Sequence, residues 1–146
     1  RPAASSPSWC AGCWRAASTV ATRRDTGFDM PLHAAVLPSP LVRVTAIDAT
    51  ETIEAGLLSS ETSGDANGFL DLVVLDNLGL VKATLLASAD TMGALLSVLD
   101  SANAGDDAPE AHVITGTNAT SVTYTLTTGS DTAKGFIYLP YILAGA

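Results

Sequence analysis

Two cysteines near the start of the chain have the spacing of a thiol–disulfide active site. They lie in the heptapeptide SWCAGCW, as Cys10 and Cys13, directly after Trp9. In thioredoxin-like proteins a W-C-x-x-C motif closes a β-strand and opens a helix, whose amino end lowers the pKa of the first thiol. Only eight residues precede Trp9 here, too few for the β-α-β unit that the motif requires. We therefore predict two ordinary thiols, and the pattern leaves their oxidation state open.

Metal binding is a second interpretation of the same pair. A structural zinc site needs further ligands, usually a second C-x-x-C or two histidines. The chain has no third cysteine, and its two histidines, His33 and His112, are far apart in sequence. The loop at residues 63–68 (SGDANG) is similar to part of a calcium loop, but Val74 stands where a bidentate Glu is required. We predict no metal and no cofactor, with a weak ion at Asp65 or at residues 106–107 as an alternative.

His112 is the one candidate for a catalytic base. It lies in a predicted strand, and a lone histidine in a sheet is more often structural than catalytic. The chain contains no G-x-S-x-G elbow and no glycine-rich phosphate loop. We predict that the protein is not an enzyme, and keep a small hydrolase-type enzyme using His112 as a secondary alternative.

Local patterns predict several β elements in the middle of the chain. Residues 41–47 (LVRVTAI) are rich in β-branched side chains and predict a strand. Two apolar runs, 69–75 and 80–87, flank an Asp/Asn/Gly connection and predict a hairpin. Residues 50–59 predict a short helix or turn, and the composition of residues 61–68 predicts a loop.

One amphipathic helix is predicted at about residues 88–100. Met92, Leu95, Leu96 and Leu99 follow one another at the spacing i, i+3, i+4, i+7, which places them on one helical face. The fold class expected is therefore α+β and β-dominated. We expect an antiparallel sheet, sandwich or barrel-like core, with this helix packed on it and an extended N-terminal arm.

The last third of the chain has the clearest strand signals. Residues 121–127 (SVTYTLT) alternate strictly between polar and apolar, which predicts a strand with one wet and one buried face. Residues 111–115 are its predicted partner. Residues 135–143 (GFIYLPYIL) are apolar on both faces, and Pro140 cannot donate a ladder hydrogen bond, so this strand is expected at a sheet edge or a bulge.

Charge divides the chain into two parts. The whole chain has 15 acidic and 7 basic residues, a net charge of −8. Residues 1–29 are net positive, whereas residues 30–146 hold only Arg43, Lys82 and Lys134 against thirteen acidic residues. We therefore predict an extended or disordered N-terminal arm at 1–29 and a single β-rich domain at 30–146.

The same composition restricts the partners. An acidic chain lacks the basic footprint that nucleic acids and anionic membranes require. No apolar run approaches the roughly 20 residues that span a bilayer. Charged residues make up only 15% of the chain, against roughly 25% in an average soluble domain, which is typical of a protein packed against neighbours. The expected partners are other protein subunits, of the same chain or of a larger shell.

An apolar terminal strand and an aromatic-bearing arm are the surfaces expected to make those contacts, because an unpaired apolar strand edge favours association. The predicted interface residues are Trp9, Trp14, Phe28, Phe136, Ile137, Tyr138, Leu139, Tyr141, Ile142 and Leu143.

In its low charge, its Thr/Ser/Gly/Ala-rich surface, its arm and its apolar terminal strand, the chain resembles small phage-type virion accessory proteins, such as capsid decoration proteins. The resemblance implies a non-catalytic structural role, a homo-oligomeric or particle-bound state, and a location in a virion. The alternative is a secreted or surface β-domain for adhesion or carbohydrate binding, which would be extracellular. A glycan on Asn118, in the sequon Asn118-Ala119-Thr120, would favour that alternative.

Overall fold

Two antiparallel sheets enclose the core of the protein. The structure, a computed structural model, describes residues 9–14, 23–85, 91–98, 108–127 and 132–143, and for residues 9–14 and 98 only the course of the backbone. In chain order its strands are β1 (Trp9–Trp14), β2 (Arg24–Asp29), β3 (Ala34–Val36), β4 (Leu41–Ala46), β5 (Thr52–Leu57), β6 (Leu70–Val74), β7 (Gly79–Lys82), β8 (Thr91–Met92), β9 (Ser97–Val98), β10 (Ala108–Pro109), β11 (His112–Val113), β12 (Ser121–Leu126) and β13 (Lys134–Leu143). A single turn of 3-10 helix, Ala94–Leu96, lies between β8 and β9.

The larger sheet has six strands in the order β11-β3-β13-β4-β7, with β1 added against β13. The second sheet has five strands in the order β2-β12-β5-β6-β8, and β9 and β10 form a separate pair. The strand pairs within these sheets are antiparallel. The expected β-dominated fold with an antiparallel, sandwich-like or barrel-like core is confirmed.

Alternating side chains of both sheets meet in one aliphatic core. The larger sheet contributes Val42 and Val44 from β4 and Ile137 and Leu139 from β13. The second sheet contributes the buried side chains Ile53, Leu57, Leu70, Val73, Val122 and Leu126. Each such side chain contributes about 1.5–3 kcal/mol when it leaves water. Packing of the two inner faces therefore fixes which side chains point outward.

Over residues 135–138, strand β13 is paired along both of its edges. Its first part pairs with β1, with Gly12 opposite Ile137, and with β4, with Arg43 opposite Phe136. Its last part pairs with β3, which is separated from β4 by only four residues. The expectation that this strand lies at a sheet edge is wrong. Pro140 is accommodated where β13 passes from β4 to β3, and its carbonyl accepts a hydrogen bond from the Leu37 amide at 2.8 Å.

Both described parts of the segment 1–29 are strands of these sheets. Strand β1 joins the larger sheet beside β13, and β2 pairs with β12 in the second sheet. Thr26 Oγ1 donates to the Val122 carbonyl at 2.8 Å, and Phe28 packs against the core. Met30, the first residue after β2, is almost fully buried. The backbone of this segment therefore contributes to the folded domain.

The predicted hairpin at 69–75 and 80–87 is wrong, because its two runs belong to different sheets. Strand β6 pairs with β5 and β8, whereas β7 pairs with β4. The Asp/Asn/Gly connection thus carries the chain from one sheet to the other. Residues 50–59, predicted as a helix or turn, contain strand β5, since Ile53, Ala55 and Leu57 alternate into the core. The loop predicted at 61–68 is confirmed.

The helix predicted at 88–100 is also wrong over residues 91–98, which form two short strands around the 3-10 turn; the rest of that segment lies outside the described residues. Met92 and Leu96 are buried while Ala94 is exposed. A Cβ on Gly93 would lie 2.0 Å from the Asn67 carbonyl oxygen. This close approach, together with the pairing of β8 to β6, replaces the local helical preference.

Strand β12 is confirmed as a strand, but its predicted wet face is wrong, because Thr123 is fully buried and Thr125 nearly so. The loop after β5 covers this side, where a Cβ on Gly56 would lie 2.0 Å from the Asp65 carbonyl oxygen. The predicted partner, residues 111–115, is wrong too. Strand β11 pairs with β3 in the other sheet.

Glu61 fastens this loop to the start of β12. Its Oε2 accepts hydrogen bonds from the amides of Thr120 at 2.7 Å and Ser121 at 3.2 Å, and its Oε1 accepts one from the Ser121 hydroxyl at 2.6 Å. The hydroxyl bond first, and then the two amide bonds, lower the pKa of the Glu61 carboxyl from its usual 4.5.

Removing residues 1–29 is expected to destabilise the domain, because it removes β1 and β2. A chain beginning at Met30 should lose more than about 2 kcal/mol of unfolding free energy, the contribution of one large buried apolar side chain. A chain beginning at Arg23 keeps β2 and should lose less. Urea denaturation followed by circular dichroism measures both, and unchanged unfolding of the chain from Met30 would show that the segment is only an arm.

Acid should weaken the Glu61 contacts. Because folding lowers this pKa, the stabilisation is present above the unfolded value of about 4.5 and is lost as the pH falls through the folded value. Glu61→Gln should be less stable than the parent chain at pH 7, with a smaller further loss between pH 5 and pH 3. Exposed Asp76→Asn is the control, and thermal unfolding at each pH is the measurement. Equal acid sensitivity of Glu61→Gln and the parent chain would contradict this.

Candidate functional site

Cys10 and Cys13 lie within strand β1, opposite Leu139 and Phe136 of β13. Three residues of extended strand separate two Cα atoms by roughly 10 Å. A disulfide needs Cα atoms within about 7 Å of each other. The segment is also a strand rather than the start of a helix, so the C-x-x-C spacing does not form a thioredoxin-like site here.

His112 is half-buried on β11, with its ring centroid 6.2 Å from that of Phe69. Burial lowers the pKa of His112 below its usual 6.5. Within the described residues, its Nε2 is buried without a hydrogen-bond partner. This is the environment of a histidine packed against the core.

The other candidate ligands also serve local structure. Asp65 Oδ1 accepts a hydrogen bond from the Asn67 amide at 3.3 Å, and the Asn67 side chain donates to Asp71 at 3.1 Å. In the part of the chain that the structure describes, no three His, Cys, Asp or Glu side chains are grouped to hold a metal ion. The candidate ion site at residues 106–107 lies outside the described residues.

The outer face of the larger sheet combines aromatic, aliphatic and basic side chains. In one row across β13, β4 and β7, Phe136 lies opposite Arg43, and Arg43 lies opposite Leu80. In the next row Tyr138 lies opposite Leu41, and Leu41 opposite Lys82. The Phe136 and Tyr138 ring centroids are 6.4 Å apart. With Lys134 these outward residues form what we call the cationic face: Leu41, Arg43, Leu80, Lys82, Lys134, Phe136 and Tyr138.

Charge distinguishes this face from the rest of the molecule. All three basic residues of the segment 30–146 lie on it, and all three are exposed. None of the six strands of the larger sheet contains an acidic residue. A chain of net charge −8 therefore presents one sheet that is locally positive. In the sequence, Arg43, Lys82 and Lys134 are far apart and entered the prediction only through the net charge. Strand pairing brings them onto one sheet.

The second sheet has the opposite charge. Four acidic residues on its strands point away from the core: Asp25 and Asp29 on β2, Glu54 on β5 and Asp71 on β6. We call these four residues the acidic face. Burial, and then the negative charge of Asp71, raise the pKa of Glu54, while neighbouring Arg23 lowers it. Neutralisation by neighbouring cations is therefore incomplete at this carboxyl.

The predicted interface residues separate into distinct environments. Phe136 and Tyr138 lie on the cationic face, whereas Ile137 and Leu139 are buried in the chain's own core and cannot touch a neighbour in this fold. Phe28 and Tyr141 pack against the core, with ring centroids 6.5 Å apart. Ile142 and Leu143 are exposed (53% and 59%). The backbone of Trp9 and of Trp14 is paired with β13.

The buried His112 should make stability depend on pH near neutrality. Because folding lowers its pKa, the unfolded chain takes up a proton below about pH 6.5 that the folded chain resists, so stability falls as the pH falls. His112→Leu should reduce the loss of unfolding free energy between pH 7 and pH 5.5. Exposed His33→Gln is the control and should retain that loss. Urea titrations at both pH values measure it, and an unchanged pH dependence in His112→Leu would contradict the assignment.

No helix in the described residues is long and apolar enough to cross a membrane. Comparison of the chain with protein-family models, with curated proteins and with solved structures finds no significant match.

Proposed function

We propose that this protein is a non-catalytic structural protein that joins protein neighbours into an assembly through its cationic face. The observation that carries the proposal is the segregation of Arg43, Lys82 and Lys134 onto one acid-free sheet face beside Phe136 and Tyr138. Aromatic residues and arginine are enriched in the centres of protein interfaces, because aromatic rings bury large areas with few rotatable bonds and the arginine guanidinium presents five donors in a planar fork.

Energetics also favour a covered state for this face. Leu80 is 63% exposed, and Phe136, Tyr138 and Leu41 are each half-buried. Covering these side chains stabilises a complex at roughly 25 cal/mol per Å² of apolar surface removed from water. The basic side chains add orientation and selectivity for an acidic partner. The face thus replaces the arm as the contact surface that we propose.

A particle of the phage-virion type is the setting we propose, since low charge and a Thr/Ser/Gly/Ala-rich surface suit a subunit packed among others.

The second candidate is a secreted β-domain that binds carbohydrate, favoured by the neighbouring Phe136 and Tyr138 rings, which could stack on a sugar. Saturable binding of a neutral oligosaccharide, lost in Tyr138→Ser, would favour the second candidate.

The assembly role predicts that the full chain sediments well above its 14.9 kDa monomer mass in a low-salt extract of its native source. The double variant Arg43→Gln with Lys82→Gln should shift most of the protein to the monomer mass. Asp76→Asn with Glu110→Gln is the control, because it removes two exposed charges that lie outside the cationic face. Sedimentation velocity measures all three, and a monomer in the native extract would contradict the proposed function.

A further inference from the structure

The two outer faces of this domain carry opposite charges. The strands of the larger sheet contain three basic residues and no acidic residue, a local charge of +3. The strands of the second sheet contain four acidic residues and one basic residue, Arg24, a local charge of −3. Asp65, in the loop that covers part of the acidic face, adds one negative charge, and Arg23, which neighbours Glu54, offsets it, so the face stays net negative.

These faces lie on opposite sides of one core. The inward side chains of β4 and β13 meet those of β5 and β12 in a single cluster, so the outward side chains of the two sheets point in opposite directions. Arg43 and Lys82 are therefore on one side of the domain, and Asp25 and Asp29 are on the other.

We propose that the partner bound by the cationic face is a second copy of this chain, which docks through its acidic face. Charge complementarity supports this partner, because every copy carries an acidic face that matches the cationic face. A symmetric dimer through either face would place like charges against each other, which disfavours it. This inference rests on the proposed function and names its partner.

Contact between unlike faces leaves a free cationic face at one end of the pair and a free acidic face at the other. Each added copy again leaves one cationic and one acidic face free, so further copies can bind head to tail. The result is either a closed ring or an open stack. Such growth from one interface is what a structural protein of a shell or filament requires. It also makes the association sensitive to salt, since exposed charges are screened beyond about 8 Å at physiological ionic strength.

The test uses two full-length variants, each with one face neutralised by near-isosteric substitutions. The cationic-face variant is Arg43→Gln with Lys82→Gln. The acidic-face variant is Asp25→Asn with Asp29→Asn, in which the side-chain amide that replaces the Asp25 carboxyl keeps an acceptor oxygen for the Gly27 backbone amide. Unfolding midpoints close to that of the parent chain establish that both variants fold.

The purified parent chain should associate at low salt, with a mass that rises with concentration and falls in 0.5 M NaCl. Each variant alone should associate about tenfold more weakly, as expected for the loss of two charge contacts. Their equimolar mixture keeps one intact junction, between the acidic face of the first and the cationic face of the second. It should therefore form a 1:1 complex of about twice the 14.9 kDa monomer mass.

The inference is overturned if the mixture stays monomeric, or if either variant associates like the parent chain. It is also overturned if the purified parent chain is monomeric at every concentration. In that case a larger species in the native extract, lost with Arg43→Gln and Lys82→Gln, would leave the proposed function standing with a different partner. A monomer in both preparations would remove both proposals.

Discussion

The register of β13 between β1 and β4 is the constraint on which the rest of the structure depends. Because side chains alternate along a strand, a slip of one residue would exchange the buried Ile137 and Leu139 for Phe136 and Tyr138. The native register keeps the aliphatic pair in the core and the aromatic pair on the surface. It also holds Arg43 beside Phe136, so the same pairings that close the core build the cationic face.

Two sheets packed over one core turn a poorly charged chain into a polarised one. Few charges are available, 22 in 146 residues, and the strands distribute them by sheet rather than evenly. Local polarity of this kind is compatible with a strong overall negative charge, because many of the remaining acidic residues lie in connections. The net charge of the chain favours an acidic surface, whereas the fold places three basic residues on one face of the larger sheet.

Strands β4 and β12 could be predicted from the sequence, whereas β5, β8 and β9 and the strand partners could not. The β-branched composition of 41–47 and the alternation of 121–127 are local signals, and they marked both strands correctly. The hairpin prediction was wrong because β6 pairs with β5 and β7 pairs with β4. Neither pairing is visible in the local sequence pattern. Apolar spacing around Gly93 favoured a helix, but close packing against Asn67 and pairing with β6 prevailed. The candidate site has the same origin: Phe136 and Tyr138 were predicted as interface residues together with Ile137 and Leu139, which the fold buries, and Arg43 and Lys82 join the two aromatic residues only through strand pairing.

The most direct measurement is zero-length carbodiimide cross-linking of an equal mixture of isotope-labelled and unlabelled chains under low-salt conditions. We predict mixed-isotope links between Lys82 or Lys134 of one copy and Asp25 or Asp29 of another, since these groups lie on opposite sides of a single copy. Links confined to one isotope, or mixed links that join other acidic residues to these lysines while Asp25 and Asp29 stay unmodified, would contradict it.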